Sequence, residues 1–209
     1  MTPELLYFAD PMCSWCWGFS PVARQVAERY GEKYPIRVFV GGLAVGVDKP
    51  LTSKSKKEIR HHWEQVEKDT GQQFDYAFFA RDNFIYNSAL PSAAVVAVRN
   101  ANLNALYFLG TLHRAFYQDN RDITDETVLI DIAGEVGLDQ TSFRTQLTAQ
   151  ETSDDAEKDY ALTKKIGIQG FPALLGMANN KIELLTMGYQ DLAALSARID
   201  QWGTTLEHQ

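Results

Sequence analysis

Cys13 and Cys16 are the residues with the clearest capacity for chemistry. They are the only two cysteines among 209 residues, and they stand three positions apart in the segment DPMCSWCWGFSP. A disulfide across so short a loop would restrict the unfolded chain only slightly, so it would add little stability. The spacing instead favours a redox pair, in which one thiolate attacks a disulfide and the second sulfur completes the exchange.

The elements predicted around this pair place Cys13 at the start of a helix. The apolar run Leu5–Ala9 predicts a buried strand, and apolar residues at helical spacing after Cys16 predict a helix that ends near Gly31. The segment IRVFVGGL predicts a second strand, parallel to the first. Free N–H groups and the dipole at the helix N-terminus would stabilise a Cys13 thiolate. We expect Cys13 to be the exposed nucleophile and Cys16, one turn later, the buried resolving thiol.

The rest of the chain changes pattern twice. From about Ser53 to about Lys165, helical periodicity is almost uninterrupted. The segments FPALLGM and KIELLTMG, joined by two asparagines, then predict a β-hairpin, and a last helix follows over about Asp191–Trp202. We therefore predict an α/β protein with the element order βαβ, helices, ββα.

The same order predicts how the chain divides into domains. Helices confined to the middle of a sequence are typical of an insertion whose two ends return to one sheet. We predict that residues 1–52 and 166–209 form one domain and that residues 53–165 form an all-α insertion domain.

Composition and charge narrow the classes of function. A net charge of −7 argues against binding to nucleic-acid backbones, which requires clustered Lys and Arg. No apolar segment reaches the ~20 residues of a membrane helix, and the first residues, MTPELLYFAD, lack the regions of a signal peptide. We expect a cytoplasmic protein with neither a nucleic-acid nor a membrane partner. No metal is expected either, because the histidines lack the spacing that a zinc site shared with the cysteines needs. These histidines are His61, His62, His113 and His208.

Taken together, these segments resemble the DsbA superfamily, whose members are thioredoxin-fold proteins with a helical insertion. The resemblance extends over nearly the whole chain, and the segments DPMCSWCWGFSP and GIQGFPALL are its most specific parts. Within the superfamily, the chain is most similar to the cytosolic branch of FrnE-type disulfide isomerases, hydroxychromene-carboxylate isomerases and kappa glutathione transferases. The resemblance implies a thioredoxin-like fold with an all-α insertion.

The resemblance also implies roles for single residues. Cys13 matches the nucleophile of the family, Cys16 the resolving cysteine, and Pro172 a cis-proline that faces them. Without the family, a trans bond before Pro172 would be the default expectation. DsbA has Pro-His between its cysteines, whereas this chain has Ser14-Trp15. Since no histidine adds to the stability of the thiolate, we expect a less oxidising pair than that of DsbA.

Three residues are predicted to bind substrate beside the sulfurs. Gly170 and Phe171 precede the proline, where an exposed backbone could pair with an extended peptide. Trp15 stands between the cysteines and is expected to be exposed, whereas Trp17 and Phe19 are expected to pack in the core.

The predicted function is thiol–disulfide exchange with protein or peptide thiols and disulfides. No metal or organic cofactor is needed for it, and glutathione is the one candidate redox co-substrate. A first alternative is a glutathione-dependent isomerase or transferase of small molecules, against which the complete CxxC argues because that branch has serine at the Cys13 position. A second alternative is a non-catalytic binding module or chaperone. The oligomeric state, the direction of exchange and the proton acceptor for Cys16 stay open, with Asp10 either that acceptor or a helix cap.

Overall fold

The computed structural model describes residues 2–207 and has the predicted order of elements. In chain order these are β1 Glu4–Ala9, α1 Ser14–Tyr30, β2 Ile36–Val40, α2 Ser53–Thr70, α3 Ala89–Asn100, α4 Ala105–Tyr117, α5 Glu126–Glu135, α6 Gln140–Leu147, α7 Gln150–Ile166, β3 Ala173–Ala178, β4 Lys181–Met187 and α8 Leu192–Glu207. The prediction of an α/β thioredoxin-like fold is therefore confirmed. His208, one of the four histidines considered for a metal site, lies outside the described residues.

Strand β1 is central in the sheet, whose strand order is β2-β1-β3-β4. It pairs parallel to β2, as predicted, and antiparallel to β3, so that Tyr7 lies between Val38 and Leu174. Both faces of β1 are covered, because Tyr7 belongs to the large core shared with α1, and Phe8 belongs to a smaller cluster that includes side chains of α7. A strand buried on both faces explains the uninterrupted apolar run LLYFA.

The predicted hairpin is confirmed, and its turn explains the two asparagines. Strands β3 and β4 pair in antiparallel register up to Ala178 and Lys181. The two residues between them, Asn179 and Asn180, have φ values of 50° and 61°. A two-residue hairpin turn requires left-handed backbone at both positions, and asparagine tolerates it better than most residues.

The segment between α2 and α3 departs from the expected run of helices. Residues 71–88 hold only one short 3₁₀ helix, Tyr76–Ala80. Aromatic packing, rather than helical hydrogen bonding, holds this segment in place. The ring centroids of Phe74 and Phe78 each lie 5.0 Å from that of the fully buried Trp63. The expectation of nearly continuous helix was wrong for this segment.

The helices between β2 and β3 share one buried cluster with the sheet and α1. Their division from the sheet into a separate domain stays a prediction. Within residues 2–207, no helix is both long and apolar enough to cross a membrane.

Candidate active site

Cys13 caps the N-terminus of α1 with its own sulfur. Its backbone is extended, with φ −95° and ψ 113°, and its Sγ accepts a hydrogen bond from the backbone N–H of Cys16 at 3.4 Å. The Cys13 thiol also lies 3.7 Å from the carbonyl oxygen of Phe171, to which it can donate. The helix N–H group favours the thiolate, and the carbonyl group favours the thiol. The position therefore accommodates the sulfur in both protonation states.

The expectation that Cys13 would be exposed was wrong. Its side chain is buried, with 6% of the residue exposed, because the sulfur turns back over the first turn of α1 and lies beneath the Phe171 carbonyl. Cys16 is fully buried, as expected. Both residues are free thiols in this structure.

The peptide bond between Phe171 and Pro172 is cis, as the resemblance implied. Pro172 itself is buried, and its carbonyl oxygen accepts a hydrogen bond from the backbone N–H of Gly188 at 2.7 Å. The structure therefore brings three of the predicted residues, Cys13, Phe171 and Pro172, to one place. Whether they act in catalysis or substrate binding stays a prediction.

The other predicted contact residues lie around this point. Trp15 is half-buried rather than exposed, because its ring packs 6.3 Å from that of Tyr189. Trp17 and Phe19 are buried as expected, and Trp17 Nε1 donates to the Gln73 carbonyl oxygen. Gly170 is half-buried, and among the described residues no atom lies within 4 Å of where its Cβ would stand.

Asp10 organises the loop between β1 and α1. It is fully buried, and its Oδ1 accepts a hydrogen bond from Met12 N–H at 2.9 Å. Its Oδ2 accepts from Leu43 N–H at 2.8 Å and from the Ser88 hydroxyl at 2.9 Å. Burial raises the pKa of Asp10, and these hydrogen bonds oppose the increase. Asp10 does not cap α1, because Cys13 occupies that position.

Aromatic and histidine side chains that the sequence analysis did not assign to the site surround the same loop. The Tyr86 hydroxyl donates to the Met12 carbonyl oxygen and lies 3.4 Å from the Tyr117 hydroxyl. His113 Nε2 lies 3.0 Å from the Asp10 carbonyl oxygen. Only the helical spacing that places His113 on an apolar face could have indicated this contact from the sequence.

The two thiols differ in their surroundings. Burial raises the pKa of Cys16 well above its ordinary value, and the neighbouring sulfur of Cys13 raises it further. The backbone N–H of Asp10 opposes this increase. Cys16 is therefore held as a thiol, whereas the Cys13 sulfur accepts a hydrogen bond from a backbone N–H at the N-terminus of α1. This asymmetry suits an attacking sulfur followed by a resolving one.

The sheet, the cysteine pair at the N-terminus of α1 and the cis-proline before β3 are together typical of a thioredoxin fold. Residues 4–200 match the DSBA-like thioredoxin domain, and the chain belongs to this family. The family is one of oxidoreductases and isomerases, and membership of it is what the match over residues 4–200 shows.

Three proteins illustrate the similarity. A candidate protein disulfide isomerase from Nitrosomonas europaea is 30% identical, with a TM-score of 0.92 over 98% of this chain and 99% of its own. The cytosolic disulfide reductase DsbM from Pseudomonas aeruginosa is 25% identical, with a TM-score of 0.77 over 99% and 98%. DsbM has also been solved with GSH. The ClpXP adapter protein SpxH of Halalkalibacterium halodurans is 26% identical over 182 residues, which are 85% of this chain and 59% of that protein.

The chain thus spans less than two thirds of the length of the curated relatives it matches. The fold is also that of a 2-hydroxychromene-2-carboxylate isomerase, with a TM-score of 0.67 at 10% identity, which is a likeness of fold alone. Membership of the DsbA superfamily, which the sequence indicated, is therefore confirmed by the family match, and an isomerase of the branch named with it shares the fold.

Proposed function

We propose that this protein is a thiol–disulfide oxidoreductase that acts on protein or peptide disulfides. The observation that carries the proposal is the position of the Cys13 sulfur, 3.4 Å from the Cys16 N–H nitrogen and 3.7 Å from the Phe171 carbonyl oxygen. A nucleophilic thiolate, a resolving thiol one turn away and a backbone edge for an extended chain are the three parts that such an exchange needs.

The exchange proceeds in two displacements. The Cys13 thiolate attacks one sulfur of a substrate disulfide, a mixed disulfide forms, and the other substrate sulfur leaves as a thiolate. Cys16 then loses its proton and attacks the Cys13 sulfur. The Cys13–Cys16 bond forms as the second substrate thiolate leaves, so the substrate gains two electrons and the pair loses them.

Substrate specificity in this proposal comes from Trp15, Gly170 and Phe171. The half-buried ring of Trp15, supported by Tyr189, gives an apolar contact beside the sulfurs. The open space beside Gly170 leaves room for an extended peptide to approach the backbone before Pro172.

Glutathione is the reductant that we propose for recycling the pair. Two glutathione thiols would reduce the Cys13–Cys16 disulfide and leave as glutathione disulfide, and the structure of DsbM with GSH supports this choice. In a cytoplasmic setting, where the glutathione pool is reducing, the direction would be reduction or isomerisation of substrates.

The similarity to SpxH supports a second candidate, in which the fold binds a protein partner without exchanging disulfides. The two functions differ in whether they require the two cysteines. A binding role would tolerate removal of both cysteines, whereas exchange requires Cys13 for the first step and Cys16 for the second.

Insulin reduction with glutathione as electron donor tests the proposal. We expect the wild type to reduce insulin, Cys13→Ala to be inactive and Cys16→Ala to accumulate a mixed disulfide at Cys13 without net turnover. Ser14→Ala, which keeps both sulfurs, serves as the matched control and should retain activity. Equal rates for the wild type and Cys13→Ala would contradict the proposal. A Cys16→Ala variant that retained glutathione transfer to a small molecule would favour the small-molecule alternative.

A further inference from the structure

The carbonyl group of Met12, directly before Cys13, is held by a side chain from a distant part of the chain. Its oxygen accepts a hydrogen bond from the hydroxyl of Tyr86, which lies 74 positions further along, in the segment before α3. Within residues 2–207, no other hydrogen bond reaches this oxygen. Met12 is buried, and a buried carbonyl group without a partner is costly. Tyr86 therefore stabilises the conformation in which the Met12 carbonyl group faces it.

The opposite end of the same peptide unit is fixed as well. The Cys13 N–H donates to the Asp10 carbonyl oxygen at 3.0 Å, and that oxygen also lies 3.0 Å from Nε2 of His113 on α4. The peptide plane between Met12 and Cys13 therefore has one partner at its N–H and another at its C=O. Fixing this plane restricts the direction in which the Cys13 side chain leaves a backbone with φ −95° and ψ 113°.

The Cys16 N–H has a choice between two acceptors. In this structure it donates to the Cys13 sulfur at 3.4 Å, because Cys13 is extended and caps α1. With Cys13 in helical backbone, α1 would begin one residue earlier, and the Cys16 N–H would donate to the carbonyl oxygen four residues before it, that of Met12. The Cys13 sulfur would then lose its hydrogen-bond donor.

Tyr86 favours the first of these arrangements. Helix α1 is anchored by buried side chains along its length. A change of Cys13 to helical backbone would therefore have to move the Met12 carbonyl group rather than the helix. That movement would break the hydrogen bond from Tyr86 and leave its hydroxyl without an acceptor. Burial raises the pKa of Tyr86, so the hydroxyl keeps the proton that this bond requires.

We propose that Tyr86 is a positioning residue for Cys13: by binding the Met12 carbonyl oxygen, it keeps the N–H of Cys16 available to the Cys13 sulfur. The inference rests on the proposed function, in which the Cys13 thiolate begins the exchange. Tyr86 acts through the backbone of Met12 and not by contact with the sulfur. A side chain from the segment between α2 and α3 thereby adjusts the reactivity of a sulfur at the N-terminus of α1.

Deleting the Tyr86 hydroxyl changes no charge near the cysteines. The titratable groups around the loop between β1 and α1 are Tyr7, Asp10, Cys16, Tyr86, His113 and Tyr117. Burial raises the pKa of each of these tyrosines and lowers that of His113 to about 4, so all four rings are neutral near pH 7. A change in the protonation of Cys13 in Tyr86→Phe would therefore report on the hydrogen bond at its sulfur.

The rate at which iodoacetamide alkylates Cys13 follows the fraction of thiolate, and peptide mass spectrometry distinguishes this product from alkylated Cys16. For Tyr86→Phe, we expect the pH midpoint of the rate to rise by about one unit, because a hydrogen bond to an anion is weakened. The limiting rate at high pH should change by no more than about threefold, since a more basic thiolate is only modestly more nucleophilic. A looser fold would instead raise the rate at every pH without moving the midpoint.

Two other tyrosines provide matched variants. Tyr76 also lies in the aromatic segment between α2 and α3, but its hydroxyl donates to Oε2 of Glu67 at 2.9 Å. Tyr76→Phe should keep the wild-type midpoint to within about 0.3 unit. Since Tyr86 uses its one proton on Met12, the Tyr117 hydroxyl, 3.4 Å away, donates to the Tyr86 oxygen. Tyr117→Phe leaves the bond to Met12 in place and should shift the midpoint by less than half as much as Tyr86→Phe.

The amide resonance of Cys16 tests the hydrogen bond itself. In the reduced, ¹⁵N-labelled wild type, the Cys16 amide proton should shift downfield as Cys13 loses its proton, because it then donates to an anion. In Tyr86→Phe, this shift should fall by at least half, since part of the population donates to the Met12 carbonyl oxygen instead.

The proposal is overturned if the Cys16 amide of the wild type does not respond to Cys13, or if Tyr86→Phe keeps the wild-type midpoint. It is also overturned if alkylation of Tyr86→Phe is faster by the same factor at every pH, or if either matched variant moves the midpoint as far. The first outcome requires no variant, so it decides the matter even where Tyr86→Phe does not fold. Because iodoacetamide is not a disulfide, a failure of the protein to reduce insulin would overturn the proposed function and leave these measurements interpretable.

Discussion

A methyl group on Gly41 would lie 2.1 Å from Cζ of Phe171, so the Phe171 ring rests directly on the backbone that follows β2. Gly41 is itself held by a hydrogen bond from its N–H to the carbonyl oxygen of Ala9, at 2.7 Å. The carbonyl group that faces the Cys13 sulfur is thereby fixed to the end of β1, although Phe171 lies 158 positions along the chain from Cys13. Sheet pairing thus sets the geometry of the site.

Gly41→Ala should disturb the site through this contact. Its Cβ cannot fit unless the Phe171 ring moves, and overpacking of this kind costs about 1–3 kcal/mol. We expect a lower free energy of unfolding in urea and slower reaction of Cys13 with a peptide disulfide. Gly170→Ala is the control, because a Cβ there meets open space, and it should change the free energy of unfolding by less than about 0.5 kcal/mol. Equal effects of the two substitutions on the free energy of unfolding would contradict this account of Phe171.

Trp15→Ala should weaken substrate binding rather than sulfur chemistry. The ring is half-buried beside Tyr189, and neither hydrogen bond of the Cys13 sulfur involves its side chain. We expect KM for a peptide disulfide to rise about tenfold, which corresponds to about 1.4 kcal/mol, with kcat nearly unchanged. Steady-state kinetics would measure this, with the exposed Tyr107→Ala on α4 as the control. A fall in kcat at constant KM would assign Trp15 to the chemical step instead.

Stability should depend on pH through His113. Its pKa is lowered from 6.5 to about 4 in the folded state because the ring is buried, so between these values the unfolded chain binds a proton that the folded protein does not. The contribution of the neutral ring to stability is complete above pH 6.5, and about 3 kcal/mol is lost as the pH falls to about 4.

Urea unfolding at several pH values, compared between the wild type and His113→Gln, measures this contribution. The difference in free energy of unfolding between them should shrink as the pH falls through that range. The exposed His62→Gln should keep the pH dependence of the wild type. A difference between the wild type and His113→Gln that stays constant with pH would refute the assignment.

Local patterns in the sequence were sufficient for the strands, for α1 and for the cysteine pair, although not for residues 71–88. Strand β1 is short and continuously apolar, α1 follows a CxxC, and the hairpin surrounds two asparagines, so each can be recognised within a few residues. The cis bond before Pro172 could be expected only through the family, because the residues alone favour trans.

The contacts that support the site could not be predicted from local sequence patterns. Asp10 bonds to Leu43 and Ser88, which are 33 and 78 positions away, and its carbonyl oxygen meets His113 at a separation of 103. Contacts between such distant residues are set by tertiary packing, which leaves no periodic pattern in the sequence. The burial of Cys13 was missed for the same reason, since the covering Phe171 carbonyl comes from the far end of the chain.

The midpoint potential of the Cys13–Cys16 couple against glutathione tests the central claim most directly. The Cys13 sulfur at the N-terminus of α1 and the buried Cys16 sulfur one turn later should form and break a disulfide as a single two-electron couple. Without a histidine between the cysteines, its potential should lie well below the value of about −120 mV that characterises DsbA. Alkylation of Cys13 before the titration should abolish the couple. A pair that never forms a disulfide in oxidised glutathione, or a potential at or above that of DsbA, would contradict the account.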